Sequence, residues 1–466
     1  MQHTVKAADE VALFLKEKNI KRVFGIIGSG NAQIFDAIGR LGFTEIICTH
    51  HEQAAVMAAI AYYRTSGIVS AALVTTGAGS TNAVTGVVSA WMDSFPVLII
   101  SGNENSKFTR DENTLRIWGI QGYDSSTMVE KVTKYATRVM DATQVEPELQ
   151  KAYHIATMER PGPCWLDIPM NIQAAPVDPK RHKPAYTLPP STKMAKNTKF
   201  IKTIDAAIET VRAHLSQAKR PVIWLGQGIR LAGAANLVEK LVNTLKCPSL
   251  VTWTGIDLID SNHPLVYGRA GIYGQRAANF VLQNCDFLLC IGTRLAIPQV
   301  GYDITEFARE AKVAVVDIDP TELEKYPERL DYPIELDAGE FVRALLEDQT
   351  AQAGFARPDW LKQCDTYRST YPFIGPEHDD QKDYMNMYQF VDRLAPHFHP
   401  QQVVVTDMGT ALLCAHQAIK LKTGQRLITS LGLGEMGYGL PGAIGASIGG
   451  DRAEVLCLNC DGGMMM

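Results

Sequence analysis

Apolar runs of strand length recur along this chain, separated by stretches where apolar residues return every three or four positions. Within roughly the first 175 residues the runs read "KRVFGII", "EIICTH", "SAALVTT", "FPVLIIS" and "CWLDIP". Each is followed by Gly, Ser or Pro. That pattern predicts βα units around a buried parallel sheet. At the start, Val5, Ala8, Ala12 and Leu15 stand at helical spacing with Lys and Glu between them. The charges break up any continuous apolar core, so this segment is a helix and not a signal peptide.

A second α/β pattern follows in "RPVIWLGQG", "PSLVTWTG", "CDFLLCIGTR" and "AKVAVVDIDP", ending near "PIELDAGEFVRALL". A third begins at "YQFVDRLAPH" and continues through "QVVVTDMGT", "RLITSLGLGEMGYGLPGAIGAS" and "AEVLCLNCDGG". The stretch 173–198 is rich in Pro, Lys and Thr without apolar period and reads as a linker; 350–380 reads as a second polar connection. The fold expected is three doubly wound parallel-sheet α/β domains over 1–172, 199–347 and 381–466, the last shorter than such a domain ordinarily needs. At 466 residues, more than one domain is required, because single cores stop growing at roughly 250–300 residues.

Charge and composition narrow the classes. Lys plus Arg is 45 against 50 Asp plus Glu, a formal charge of −5. No basic excess is present to neutralise nucleic-acid phosphates. No run is long and apolar enough to span a membrane. The nine cysteines are scattered, mostly in apolar stretches, and read as free thiols of a cytoplasmic protein. Cys457 and Cys460 form a CxxC with no second Cys/His pair nearby, which makes zinc or redox chemistry there a weak reading.

Three Gly-rich turns follow strands: "VFGIIGSGNAQ", "LVTTGAGSTNAV" and "VIWLGQGIRLAG". Such turns bring backbone N–H groups and a helix N-terminus toward an anion. None is a full GxGxxG with a following acid, which argues against a nucleotide-dependent dehydrogenase. Each is equally a tight packing turn. In "THHEQAAVMAAIAYYRTSG", Glu52 opens a helix otherwise made of small apolar residues. It is either an N-terminal charge favoured by the helix dipole or a buried acid suited to proton transfer.

Five motifs occur in order: "HEQAA", "TTGAGSTNAVTGVVSAWMDSFPVLIISG", "RPGPCWLDIP", "GLGEMGYGLPGAIGA" and "CDGG". Together they resemble the thiamine diphosphate enzymes of the acetolactate synthase group, over nearly the whole chain. The resemblance implies a pyrimidine-binding, a central and a diphosphate-binding domain at the boundaries given above. It also implies a homodimer or homotetramer with each cofactor between two chains. Glu52 matches the glutamate that hydrogen-bonds N1′ of the aminopyrimidine and moves the ring toward its imino form. Met436 matches the bulky residue beneath the bend of the cofactor, and the Gly434 backbone would accept from its amino group. Met408, Gly409 and Thr410 match the turn that meets the diphosphate. Asp461, Gly462 and Gly463 match the start of the metal motif, with Asp461 binding Mg²⁺; Cys460 replaces that motif's first glycine. The family pattern supplies a second metal ligand further along. The expectation is therefore that the native protein continues past Met466.

The same resemblance bears on the reaction. Decarboxylases of the family often carry a His pair after the strand that reads "VLIISG" here, and residues 103–118 contain no histidine. Carboligases carry a Gln in this region, and "IWGIQGYD" offers Gln121, followed by a helix toward "VTKYATRV". The expected activity is decarboxylation of a 2-keto acid such as pyruvate and transfer of the two-carbon unit to a carbonyl acceptor. That acceptor is a second 2-keto acid or a keto-sugar nucleotide. Simple decarboxylation and an inactive cofactor-binding partner protein are the alternatives. The central domain resembles the group's flavin-binding domain: Gly226, Gly228, Thr252, Gly271, Gly292, Arg294, Asp317 and Asp337 fall where FAD contacts would lie. After Arg294, "LAIPQV" lacks the Asp and second Arg common in flavin binders, so FAD stays an open alternative.

Overall fold

The computed structural model describes residues 5–109, 115–116, 119–178 and 199–466. The alternation of apolar runs and helices resolves into three sheets. The first holds β1 (Arg22–Gly25), β2 (Glu45–Cys48), β3 (Ser70–Val74), β4 (Val97–Asn103), β5 (Tyr135–Arg138) and β6 (Cys164–Pro169) in the order β2-β1-β3-β4-β6-β5. All its pairings are parallel. β3, β4 and β6 are buried along their whole length, as continuous apolar runs require when helices cover both faces.

The second sheet holds β7 (Pro221–Leu225), β8 (Ser249–Val251), β9 (Phe287–Ile291), β10 (Lys312–Asp317) and β11 (Tyr332–Glu335), ordered β11-β10-β9-β7-β8 and again parallel. The third is β12 (Val403–Thr406), β13 (Arg426–Ile428) and β14 (Val455–Leu458), ordered β13-β12-β14, with β12 and β14 parallel. All three sheets thus follow the α/β class expected.

The chain forms two compact units. One comprises Met1–Pro190, Val403–Met408 and Ile428–Met466; the other comprises Ser191–Gln402 and Gly409–Leu427. Within the first unit, the helix Gly439–Gly449 lies against the helix Glu52–Ser66. A Cβ at Gly445 would stand 2.0 Å from the Ala58 carbonyl oxygen, so only hydrogen fits there. Met57, Ala61, Val403, Val405, Tyr438 and Ala446 share one apolar cluster around this contact.

Three sequence expectations need correction. The helix expected toward "VTKYATRV" stops early: it covers Ser125–Val129, capped by the Asp124 side chain, and the chain then enters β5. Thr133, Tyr135, Thr137 and Val139 are β-branched or aromatic at alternate positions, and strand preference wins there. The connection over 350–380 contains a 13-residue helix, Pro358–Thr370. Its apolar seam is narrow: Trp360 and Cys364 are buried, and Tyr367 stacks on Phe280 with centroids 5.4 Å apart. The linker expected from 173 begins later, because Gln173 is fully buried in the helix Met170–Ala174 and donates to Gly30 O and Ile168 O, both at 2.6 Å. Residues 179–198 lie outside the described residues.

Candidate active site

Glu52 is the first residue of its helix, whose N-cap is His51; His51 Nδ1 accepts from Gln53 N at 3.2 Å. Glu52 is at once a helix-opening charge and a buried side chain. It sits in the first turn, where the helix dipole favours a negative charge, and its side chain is buried at 7 % exposure. Asn82 Nδ2 donates to its Oε2 at 3.0 Å. A Cβ on Gly79 would lie 3.2 Å from its Oε1, so the Gly-rich turn after β3 passes directly over the carboxylate.

That same turn holds Gln121, whose side chain is exposed. Gly77 has φ +69°, and a Cβ there would meet Gln121 Cδ at 3.1 Å. Thr76 Oγ1 donates to Gln121 O at 3.2 Å, and Tyr123 OH donates to Gly77 O at 3.3 Å while also meeting Ser80 Oγ. Burial raises the pKa of the Tyr123 phenol; its bond with Ser80 opposes the shift. Glu52 and Gln121 therefore flank one turn, residues 77–82. The sequence reading found this pair but missed Asn82, Thr76 and Tyr123. The "TTGAGSTNA" motif carries two of these three, and could have pointed to them.

A second cluster gathers at the ends of β12 and β14. Met408 Cε packs where a Cβ on Gly434 would be, at 2.2 Å, and Gly434 has φ +70°. Cys460 Sγ donates to Met408 O at 3.2 Å. Met436 is 45 % exposed, and its Cε lies 3.0 Å from the Cβ position of Gly462. Gly409, with φ +88°, caps the helix Thr410–Ala418. Asp461 is exposed and heads the short helix Asp461–Met464; its Oδ1 accepts from Gly462 N at 2.8 Å. Met408 thus meets Gly434, and Met436 meets Gly462.

Beneath them lies Asp407, which sequence reasoning passed over. It is 1 % exposed, and its Oδ1 accepts from Gly439 N at 3.2 Å. Its Oδ2 has no partner among the described residues, and Gly463 packs so closely that a Cβ would overlap that oxygen. The segment carrying Gly434 and Met436 is tied to the first sheet's helices. Arg64 Nη1 donates to Thr429 O, and Asp93 accepts from Leu431 N at 3.0 Å and Gly432 N at 2.8 Å. Ser430 Oγ donates to Glu435 Oε2 at 2.6 Å, and burial raises the Glu435 pKa.

These features meet what a thiamine diphosphate would require of the chain. A buried carboxylate lies under a glycine turn, and a cradle lined by glycines at positive φ faces a bulky thioether. For a metal, Asp461 offers a hard carboxylate oxygen, the donor type Mg²⁺ takes. Among the described residues no group of three or more His, Cys, Asp or Glu is placed to hold a metal. None of the nine cysteines is in a disulfide, Cys457 and Cys460 included.

In the second unit, the residues that resemble flavin contacts all have local structural work. Gly226 and Gly228 pack on Gly292, where a Cβ at Gly226 would come 2.1 Å from Gly292 O. Gly292 and Arg294 have φ +59° and +63°, and Gly271 +136°. Thr252 Oγ1 accepts from Gly255 N, Asp317 Oδ1 from Asp319 N, and Asp337 caps the helix Ala338–Glu347 through Gly339 N and Glu340 N.

Three family models match the chain in order. The thiamine pyrophosphate enzyme N-terminal TPP binding domain covers residues 5–130, the central domain 208–345, and the C-terminal TPP binding domain 407–466. Among curated relatives, the probable acetolactate synthase large subunit of Methanocaldococcus jannaschii is 30% identical over 474 residues, covering 99% of this chain and 76% of its own length. The acetolactate synthase isozyme 2 large subunit of Escherichia coli is 29% identical, with 99% and 79% covered, and the large subunit of Lactococcus lactis 29%, with 97% and 75%. The chain belongs to the thiamine pyrophosphate-dependent enzymes of the acetolactate synthase type. Among the described residues, no helix is long and apolar enough to cross a membrane.

Proposed function

We propose that this protein is a carboligase that decarboxylates pyruvate or a similar 2-keto acid and joins the remaining two-carbon unit to a carbonyl acceptor. One observation carries the reading: Glu52 and Gln121 flank the same glycine turn, Glu52 buried beside Gly79 and Gln121 exposed beside Gly77. The names of the relatives, acetolactate synthase large subunits, support it. Bound thiamine diphosphate supplies the carbon nucleophile and holds the electron pair freed when CO₂ leaves. Glu52 would hold and move a proton at the aminopyrimidine nitrogen; a carboxylate can do so in both directions during turnover, which an amide cannot. Asp461 would take the Mg²⁺ that accompanies the cofactor. Met408, Gly462 and Gly463 would line the diphosphate, and Met436 would support the cofactor. Gln121 would face the acceptor.

The acceptor is a second 2-keto acid or a keto-sugar nucleotide. Incubation of the protein with pyruvate, thiamine diphosphate, Mg²⁺ and each acceptor in turn, with the ligated product identified by mass, decides between them. Release of acetaldehyde alone would mark a decarboxylase instead. Flavin occupancy of the central domain is read from the visible absorbance of the purified protein. A homodimer or homotetramer, with each site shared between chains, completes the proposal.

A further inference from the structure

Asn103 closes β4 and is 2 % exposed. Its side-chain amide uses both ends twice. Nδ2 donates to Asp167 Oδ2 at 2.6 Å and to Tyr123 O at 2.8 Å. Oδ1 accepts from Thr76 Oγ1 at 3.1 Å and from Glu104 N at 2.8 Å. Two donors and two lone pairs are the full capacity of an amide, and all four have a partner here, the single Thr76 hydrogen being shared between Asn103 Oδ1 and Gln121 O.

Two backbone groups and Asp167 together fix which way that amide points. Asp167 lies on β6 and is fully buried in the run "CWLDIP". Tyr123 O can only accept and Glu104 N can only donate, so the NH₂ end of Asn103 faces Tyr123 O and Asp167, and Oδ1 is left to face Thr76. The reversed amide would place two oxygens together and break the bonds at both ends. A buried acid in an apolar strand is costly, and packing alone gives no reason for one here.

The bonds that radiate from Asn103 converge on the segment bearing Gln121. Thr76 Oγ1, oriented by Asn103, is also 3.2 Å from Gln121 O. Asn103 grips Tyr123 O two residues later, and Glu104 Oε2 accepts from Ile120 N at 3.4 Å one residue earlier. Glu104 Cγ and Cβ lie 3.1 and 2.9 Å from the Cβ positions of Gly119 and Gly122, so the side chain is enclosed by the segment it holds.

We propose that Asn103, oriented by Asp167, is a positioning residue that holds Gln121 against the Gly77 turn and so decides whether the two-carbon unit is ligated or protonated. This rests on the reading of Gln121 given above. After CO₂ leaves, the freed electron pair has two outlets. It takes a proton, and the unit departs as an aldehyde. Or it forms a C–C bond to the acceptor carbonyl carbon, whose oxygen takes the proton. The second outlet needs the acceptor held at bonding distance, and a misplacement of about 1 Å in such a contact costs on the order of 10²-fold.

The test compares Asn103→Ala, Asp167→Asn, Thr76→Val, Thr76→Ser and Gln121→Ala in the full chain with thiamine diphosphate, Mg²⁺ and pyruvate. Aldehyde and ligated product are quantified against CO₂ release. Asn103→Ala, Asp167→Asn and Thr76→Val should raise the aldehyde-to-ligated ratio by about tenfold or more, and Thr76→Ser should retain the parent ratio. Titration calorimetry should find cofactor affinity within about threefold of the parent for all of them. In the cofactor-free protein, amide exchange at residues 119–123 should quicken by about tenfold in Asn103→Ala. If Gln121→Ala shifts the ratio while Asn103→Ala and Thr76→Val do not, the positioning role falls and Gln121 stands. If Gln121→Ala leaves the ratio unchanged, the underlying reading of Gln121 is wrong. Lower melting temperatures with an unchanged ratio would make the network a strand-end brace only. Should Asn103→Ala fail to fold, Thr76→Val alone carries the comparison.

Discussion

Asn82 Nδ2 donates to Glu52 Oε2 across 3.0 Å, joining the turn after β3 to the first residue of the helix that precedes β3. The bond holds a buried carboxylate in one orientation. Glu52→Gln keeps the shape and removes the proton shuttle. Turnover should fall by about 10²–10⁴-fold or more, with an unchanged circular dichroism spectrum. Near-parent CO₂ release from pyruvate would remove Glu52 from the chemistry. Asn82→Ala should reduce turnover less, and should lower stability by about 1–3 kcal/mol in denaturant titration, because a buried acceptor loses its donor.

Met436 is nearly half exposed, so it contributes little to the apo core. Met436→Ala should change cofactor-free stability by no more than about 0.5 kcal/mol, while weakening thiamine diphosphate binding measured by calorimetry. A large fall in the apo melting temperature with unchanged affinity would make Met436 ordinary packing.

Asp167 carries a pH signature. Burial pushes its pKa up from 3.8 to about 7, with Asn103 and Arg138 opposing the shift. A carboxyl raised in the folded state releases its proton more readily when unfolded, so the unfolded state binds fewer protons between these two values. Stability should therefore fall as pH rises from about 4 to about 7, by an amount on the order of a few kcal/mol, and level off above. Asp167→Asn should flatten that slope. Equal pH slopes for parent and variant, from urea titrations at pH 5 and pH 8, would contradict the assignment.

Subunit mixing tests whether a site is shared. Glu52→Gln and Asp461→Ala should each inactivate a homodimer. In a mixed dimer with sites between chains, one site receives both defects and the other neither. Random equal mixing should therefore restore activity at about a quarter of all sites, by two-fold symmetry. Mixed dimers confirmed by mass but inactive would mean that each site is built within one chain, or that Asp461 is not a ligand.

The sheets were legible because their runs are apolar and closed by Gly, Ser or Pro. β5 was not, since "YATR" is short and only half buried, and the helix before it masked the change of period. The helix Pro358–Thr370 was hidden by its polar composition, with only Trp360 and Cys364 buried. Glu52, Gln121 and Met436 stood out through motifs. Asn82, Asn103 and Asp407 did not, because a polar residue at a strand end or turn looks like solvent-facing punctuation until its partners are seen. Asp167 was quoted within "CWLDIP", yet an acid inside a strand is informative only once its burial is known.

The contact between Gly445 and Ala58 sets a limit on how this protein can vary. With 2.0 Å between a would-be Cβ and a carbonyl oxygen, even alanine at 445 must push the Glu52 helix aside. A library that randomises the Gly439–Gly449 helix and is screened for turnover should return glycine codons at 445 almost alone. Ile444 beside it, 41 % exposed, should accept more replacements than Gly445. The search for new substrates is then confined to surfaces that leave this contact intact, such as the loop that presents Gln121.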